Sequence, residues 1–162
     1  MIYEVEGDIL LTSAQVIAHG VAANDPMKQG LAMALHERYP AMHKDFHHWC
    51  HQARPEPGAA WIWAGADGKR IVNLLTQEGG YGAGNPPGKA TESNVNHALK
   101  ELKKILQKEK CTSVALPRLA TGVGELEWNK VAPLIQAQLG DLDIPVYVYV
   151  VYHAGQKAKE PV

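Results

Sequence analysis

The stretch LPRLATGVGELEW (116–128) leaves an apolar segment, passes Gly122 and Gly124, and stops at Trp128. Two glycines at a strand end let main-chain N–H groups curl around an anion with no Cβ in the way. A second stretch, VIAHGVAANDPMKQGLAMALHERYP (16–40), repeats the logic: an apolar strand ends at His19, a loop follows, and a helix begins near Gly30 with Leu31, Ala34 and Leu35 on its inner side. The unpaired N–H groups of that helix's first turn point back toward the strand end, where the macrodipole also favours negative charge. Each glycine could serve only a turn. Their shared position after strands is what suggests a diphosphate clamped from two sides.

Outward from these loops, short apolar or β-branched runs predict strands at 2–5, 16–19, 61–64, 71–75, 113–116 and 146–152. Helical periodicity separates them. After Thr91, an N-cap residue, Val95, Ala98, Leu99, Leu102, Ile105 and Leu106 form one stripe, with Lys100, Glu101, Lys103 and Lys104 opposite. Val131, Ala132, Ile135 and Leu139 form another, with Asn129 as the expected cap and Pro133 in the first turn or so. Strands alternating with helices predict a three-layer α/β domain with a largely parallel sheet and its ligand at the carboxyl ends of the strands. One domain is expected over 1–153, and 154–162 is expected to be a frayed polar tail, GQKAKEPV offering nothing to bury.

Composition narrows the function. Lys plus Arg number 16 against 17 Asp plus Glu, so no global cationic field holds a nucleic acid, and no basic or aromatic-lined groove stands out. Cys50 and Cys111 lack metal-ligand spacing and are expected as free thiols in a reducing compartment. The acidic start MIYEVEGDILL is unlike a signal peptide, and no apolar run reaches the ~20 residues of a membrane span, so a cytoplasmic protein is expected. HKDFHHWCH (43–51) places His43, His47 and His51 on one helix face beside Cys50, but a single helix rarely closes a tetrahedral zinc site. An amphipathic surface helix with Phe46 and Trp49 partly buried is expected instead, with neither metal nor cofactor. TQEGGYGAGNPPGKATES (76–93) reads as a long loop beside a strand end. There Tyr81 could cover a ligand and Lys89 approach its phosphates, or both could serve a plain connector.

GDIL near the start, AHG…N…GLA, NLLTQ and LPRLATGVGELEW occur in an order and spacing that resemble the macrodomains, an ADP-ribose-binding α/β fold, over residues 1 to 150. The resemblance implies a three-layer α/β/α macrodomain with a mixed, largely parallel central sheet. Its partner would be ADP-ribose or an ADP-ribosylated molecule. Asp8 would accept a hydrogen bond from the adenine amino group, and the Ile9 backbone would read a ring nitrogen. Gly30, Leu31 and Ala32 would line the first phosphate loop, and Ala120, Thr121, Gly122, Val123 and Gly124 the second. Asn24 would sit near the distal ribose beside Thr76 and Gln77, and Tyr149 would cover the adenine.

Within the family, the chain is most similar to the branch of terminal ADP-ribose glycohydrolases, antitoxin relatives that remove ADP-ribose from DNA, and ADP-ribose-1″-phosphate phosphatases. The glycohydrolase branch uses a lysine and an aspartate where this chain has Gln77 and Gly124. An amide forms no Schiff base and glycine has no carboxylate, which disfavours a lysyl adduct. The first loop also departs from the family, with Lys28 and Gln29 before Gly30. The phosphatase branch has a histidine at His19 and an acid at Asp141. Three candidate catalytic groups therefore stand: His19 as general acid or orienting donor, Asp141, and Glu125 as a positioner of water. Each has a plainer alternative, namely a structural strand histidine, a turn former and a solvated charge. The leading expectation is hydrolysis of an ADP-ribose derivative or ADP-ribosyl conjugate, ADP-ribose-1″-phosphate first, and the alternative is a non-catalytic reader or antitoxin-like module.

Overall fold

The computed structural model describes residues 1–79 and 88–161. In chain order the elements are β1 (Ile2–Gly7), a 3-10 turn (Ile9–Leu11), β2 (Val16–Ala22), α1 (Gly30–Arg38), α2 (Pro40–Ala53), β3 (Ala60–Ala64), β4 (Arg70–Gln77), α3 (Glu92–Lys108), β5 (Val114–Leu116), α4 (Trp128–Leu139) and β6 (Val146–Tyr152). Strand order across the sheet is β1-β6-β5-β2-β4-β3. Every neighbouring pair is parallel except β3 with β4.

Alternation along the strands sends side chains into two cores. Val16, Ala18, Val72, Leu74, Val114, Leu116, Val146 and Val148 pack with the stripes of α3 and α4. Ile17, Val21, Ile71, Leu75, Ala115, Tyr147 and Tyr149 face the other way, toward Leu35 of α1 and Met42, Phe46 and Cys50 of α2. The sheet is therefore covered on both faces, which is why its central strands read as continuous apolar runs. Thr91 caps α3, its side chain accepting from the Asn94 N–H at 3.0 Å. α4 starts earlier than expected: its N-cap is Glu127, and Pro133 lies inside the helix. Phe46 is fully buried rather than partly so, in an aromatic cluster with Trp49 and Trp61.

The expectation of a frayed tail fails. Residues 153–161 run back along β1 and β6. The His153 N–H donates to Gly7 O at 3.1 Å and the Asp8 N–H to Gln156 O at 2.7 Å. Ala158 is buried in the second core. The Tyr147 hydroxyl donates to Pro161 O at 2.7 Å. A Cβ on Gly7 would lie 2.8 Å from Gln156 O, so glycine is what lets the tail come this close. Composition hid this segment because backbone groups, not apolar side chains, hold it down.

Candidate functional site

β5 and β2 are neighbours, yet the helices that follow them go to opposite faces, α4 with α3 and α1 with α2. Between such strands the two connections diverge and leave a crevice outside the carboxyl ends, the topological switch point where open α/β sheets bind ligands. Both glycine-containing stretches lie at this point. Among the described residues, the N–H groups of Gly30, Leu31 and Ala32 on one loop have no acceptor, nor do those of Gly122, Val123 and Gly124 on the other.

Backbone strain is concentrated in the same loops. Six described non-glycine residues have positive φ, and four of them are Asn24 (62°), Met27 (52°), Ala120 (63°) and Glu125 (62°). Each left-handed residue costs roughly 1 kcal/mol or more and persists only where the surroundings enforce it. Asp25 does so in the first loop, its carboxylate accepting from the Ala22 N–H at 3.1 Å and the Met27 N–H at 2.8 Å. The sequence reading passed over Asp25, although an Asn-Asp-Pro run is a turn signal. In the second loop the Glu125 N–H donates to Gly122 O at 3.0 Å and the Leu126 N–H to Ala120 O at 2.9 Å.

The histidines take part as supports for the first loop. His36, His43, His47 and His51 form a column with successive ring centroids 4.0, 5.2 and 5.6 Å apart. The His43 Nε2 is 3.2 Å from Asp25 O. Partial burial and the neighbouring His36 hold the His43 pKa below the usual imidazole value. On the same helix the buried Cys50 Sγ accepts from the Asn24 N–H at 3.3 Å. Among the described residues, no three His, Cys, Asp or Glu side chains converge with metal-ligand geometry.

Toward β1, Asp8 accepts from the Leu10 N–H and the Gly155 N–H, both at 3.0 Å, and the Ile9 N–H has no acceptor among the described residues. Toward β4, the Gln77 side chain donates to Gly88 O at 2.9 Å, the Ala90 N–H donates to Gly124 O at 3.0 Å, and Lys89 Nζ stands 3.6 Å from Glu125 Oε2. Asn24 Oδ1 and Thr76 Oγ1 are buried without a hydrogen-bond partner among the described residues. Thr76 lies beneath the strand end, where a Cβ on Gly20 would come within 2.6 Å of its hydroxyl. From β1 to β4 is four strand spacings, roughly 19 Å, so Asp8, the two amide loops and the Gln77–Lys89–Glu125 group follow one another along a single edge.

Three expected site residues do not join them. His19 is 2 % exposed in the middle of β2, 2.7 Å from Asn73 Oδ1 through its Nε2. Burial lowers its pKa to about 4, against smaller opposing effects of Asn73 and Asp25. It is a neutral core residue, and alternation with Ile17 and Val21 was the signal for it. Asp141 lies at the amino end of the sheet, where Lys103 Nζ donates to it at 2.8 and 3.0 Å and the N-terminal ammonium donates to the adjacent Leu142 O. The Lys103 hydrogen bonds hold its carboxyl below the usual range. Tyr149 sits mid-strand under the tail, its hydroxyl donating to Glu160 at 2.6 Å; burial, and after it this hydrogen bond, pushes its pKa up. A cavity of about 660 Å³ lined by Ser13, Thr112, Ser113, Pro145 and Lys159 also belongs to the amino end, away from the loops. Tyr81 falls outside the described residues.

Residues 19–135 match the family model of the Macro domain. The chain belongs to the Macro domain family. The match takes in both amide loops and leaves Asp8 and the tail outside it. A DNA ADP-ribosyl transferase–DNA ADP-ribosyl glycohydrolase fusion protein from Thermosipho africanus is 26% identical over 162 residues, covering 90% of this chain and 41% of the relative. A DNA ADP-ribosyl glycohydrolase from Mycobacterium tuberculosis is 28% identical over 153 residues, covering 91% and 42%. The chain thus spans about two fifths of the length of these curated relatives. The solved macrodomain of Thermus aquaticus DarG superposes with a TM-score of 0.81 at 25% identity, covering 93% of this chain and 98% of that one. Among the described residues, no helix is long and apolar enough to cross a membrane.

Proposed function

We propose that this macrodomain binds ADP-ribose along the carboxyl edge of its sheet and releases it by hydrolysis from an ADP-ribosyl conjugate, in the cytoplasm. The observation that carries the reading is the pair of unpaired-amide loops at the β5/β2 switch point. In this reading the amides hold the diphosphate, Asp8 and the Ile9 N–H take the adenine, and Asn24 Oδ1 accepts from a distal-ribose hydroxyl. That ribose then lies against Lys89 and Glu125. The Glu125 carboxylate takes a proton from the attacking water, and the Lys89 ammonium offsets charge on the departing group. The curated relatives named above act on DNA-linked ADP-ribose, which makes a nucleic-acid conjugate the first substrate class to try. ADP-ribose-1″-phosphate ranks below it, because the two residues that favoured it, His19 and Asp141, lie in the core and at the far end of the sheet.

A second reading, a binder without turnover, draws on Gln77. It occupies the position of the branch's lysine, and its amide is tied to Gly88 O. The test is product release from an ADP-ribosylated oligonucleotide and from ADP-ribose-1″-phosphate, followed by chromatography. Turnover of the oligonucleotide that falls about 10²-fold or more in Glu125→Gln, with ADP-ribose affinity retained in calorimetry, supports the hydrolase. Tight ADP-ribose binding with no product from either substrate supports the reader. Equal affinity for AMP and ADP-ribose removes both.

A further inference from the structure

The tail and the Asp8 turn are tied at both ends of the turn. At its start, Asp8 gives its N–H to Gln156 O at 2.7 Å and takes the Gly155 N–H on Oδ2 at 3.0 Å. At its end, the Glu160 carboxylate takes the Ser13 N–H on Oε1 at 2.9 Å, and on Oε2 the Tyr149 hydroxyl at 2.6 Å together with the Thr12 hydroxyl. Lys69 Nζ fastens the same corner by donating to Thr12 O at 3.1 Å and Ala14 O at 2.6 Å. Apart from the two Lys69 bonds, each of these is a polar contact of the tail, a segment that has just one buried apolar side chain, Ala158.

A carboxylate oxygen accepts about two hydrogen bonds, so the Leu10 and Gly155 N–H groups leave each oxygen of Asp8 one further acceptor position. Two N–H donors on different oxygens also stop the carboxylate from rotating, and charge-assisted bonds of this kind are the stronger class. One of the two belongs to the tail. We propose that residues 153–161 form a positioning strap for nucleobase recognition, with Glu160 as the anchor that holds Gly155 against Asp8, so that Glu160 sets the preference for a base bearing an exocyclic amine without touching the ligand. The proposal rests on the reading that Asp8 faces the adenine. It adds a determinant that lies outside the matched family segment, 19–135.

Calorimetry of the full chain with ADP-ribose and with its inosine counterpart, in which a carbonyl replaces the amine, separates the possibilities. The unaltered protein should prefer ADP-ribose by tenfold or more. Glu160→Ala should reduce that preference to threefold or less by weakening ADP-ribose alone, the inosine ligand changing by less than threefold. Thr12→Val, which removes a single bond to the same carboxylate, should give an intermediate preference and serves if Glu160→Ala does not fold. In an Asp8→Asn background, Glu160→Ala should cause no further loss. A preference that survives in Glu160→Ala, or equal weakening of both ligands, overturns the strap and leaves the tail a purely structural cover. Absence of ADP-ribose binding by the unaltered protein overturns the functional reading itself, and the strap with it.

Discussion

His19 shows how burial reassigns a residue that sequence alone made a candidate acid. With a folded pKa of about 4 against 6.5 when exposed, the imidazole stays neutral across the pH range in which it would have to donate a proton. The same depression has a thermodynamic consequence. Above pH 6.5 neither folded nor unfolded chain protonates this side chain, so its contribution to stability is complete. Between pH 6.5 and about 4 the unfolded chain binds a proton that the folded chain refuses, and stability falls with pH, by roughly 3 kcal/mol over the window. His19→Gln keeps a hydrogen-bonding group for Asn73 and removes the titration. Urea denaturation at pH 7 and pH 4.5 should therefore show the unaltered protein losing more stability than the variant. Equal losses would mean that the imidazole is not held neutral.

The second loop explains the missing aspartate. A Cβ on Gly124 would stand 2.7 Å from Ala120 O, 2.9 Å from the Ala90 Cβ and 3.0 Å from the Ala120 Cα, and backbone at that distance cannot step aside cheaply. The carboxylate instead appears one residue later, on Glu125 in the left-handed region, facing Lys89. Gly124→Asp, which restores the branch residue, is expected to force the loop open and weaken ADP-ribose at least tenfold, as read by calorimetry; unchanged affinity would show that the amide grip does not depend on this geometry. At this scale much could be read from the residues. Apolar runs marked β1, β2, β4 and β6, the stripe after Thr91 marked α3, and glycine positions marked both loops. The pairing of Lys89 with Glu125 was not legible, because it joins residues from separate loops through the Ala90–Gly124 hydrogen bond. Nor was the tail, whose hold is main-chain N–H groups and one glutamate. Tyr147 and Tyr149 alternate onto one face in any strand reading, but only the path of the tail shows what covers them.

For the whole molecule, the proposed nucleic-acid conjugate can be tested for which of its parts is recognised. The chain carries 16 Lys and Arg against 17 Asp and Glu. Lys103 and Lys104 are paired with Asp141 and Glu101, and Lys89 faces Glu125. Affinity for a nucleic-acid backbone comes from phosphate contacts that release counterions, and six to ten such contacts give a log–log salt slope of roughly −5 to −9. With positive and negative charges in balance, the chain has no net cationic field to produce that slope. The proposed diphosphate grip is built from amides and helix dipole, whose contribution does not depend on counterion release at the duplex. In fluorescence anisotropy at about 150 mM salt, an unmodified oligonucleotide should therefore bind no tighter than ~10⁻⁴ M, the weak end of non-specific binding. The same oligonucleotide carrying ADP-ribose should bind at least tenfold tighter, with a salt slope no steeper than about −2, and free ADP-ribose should compete for it. Micromolar binding of the unmodified strand with a steep slope would move recognition from the amide loops to the nucleic acid, and Glu125 would then be tested on the wrong end of the substrate.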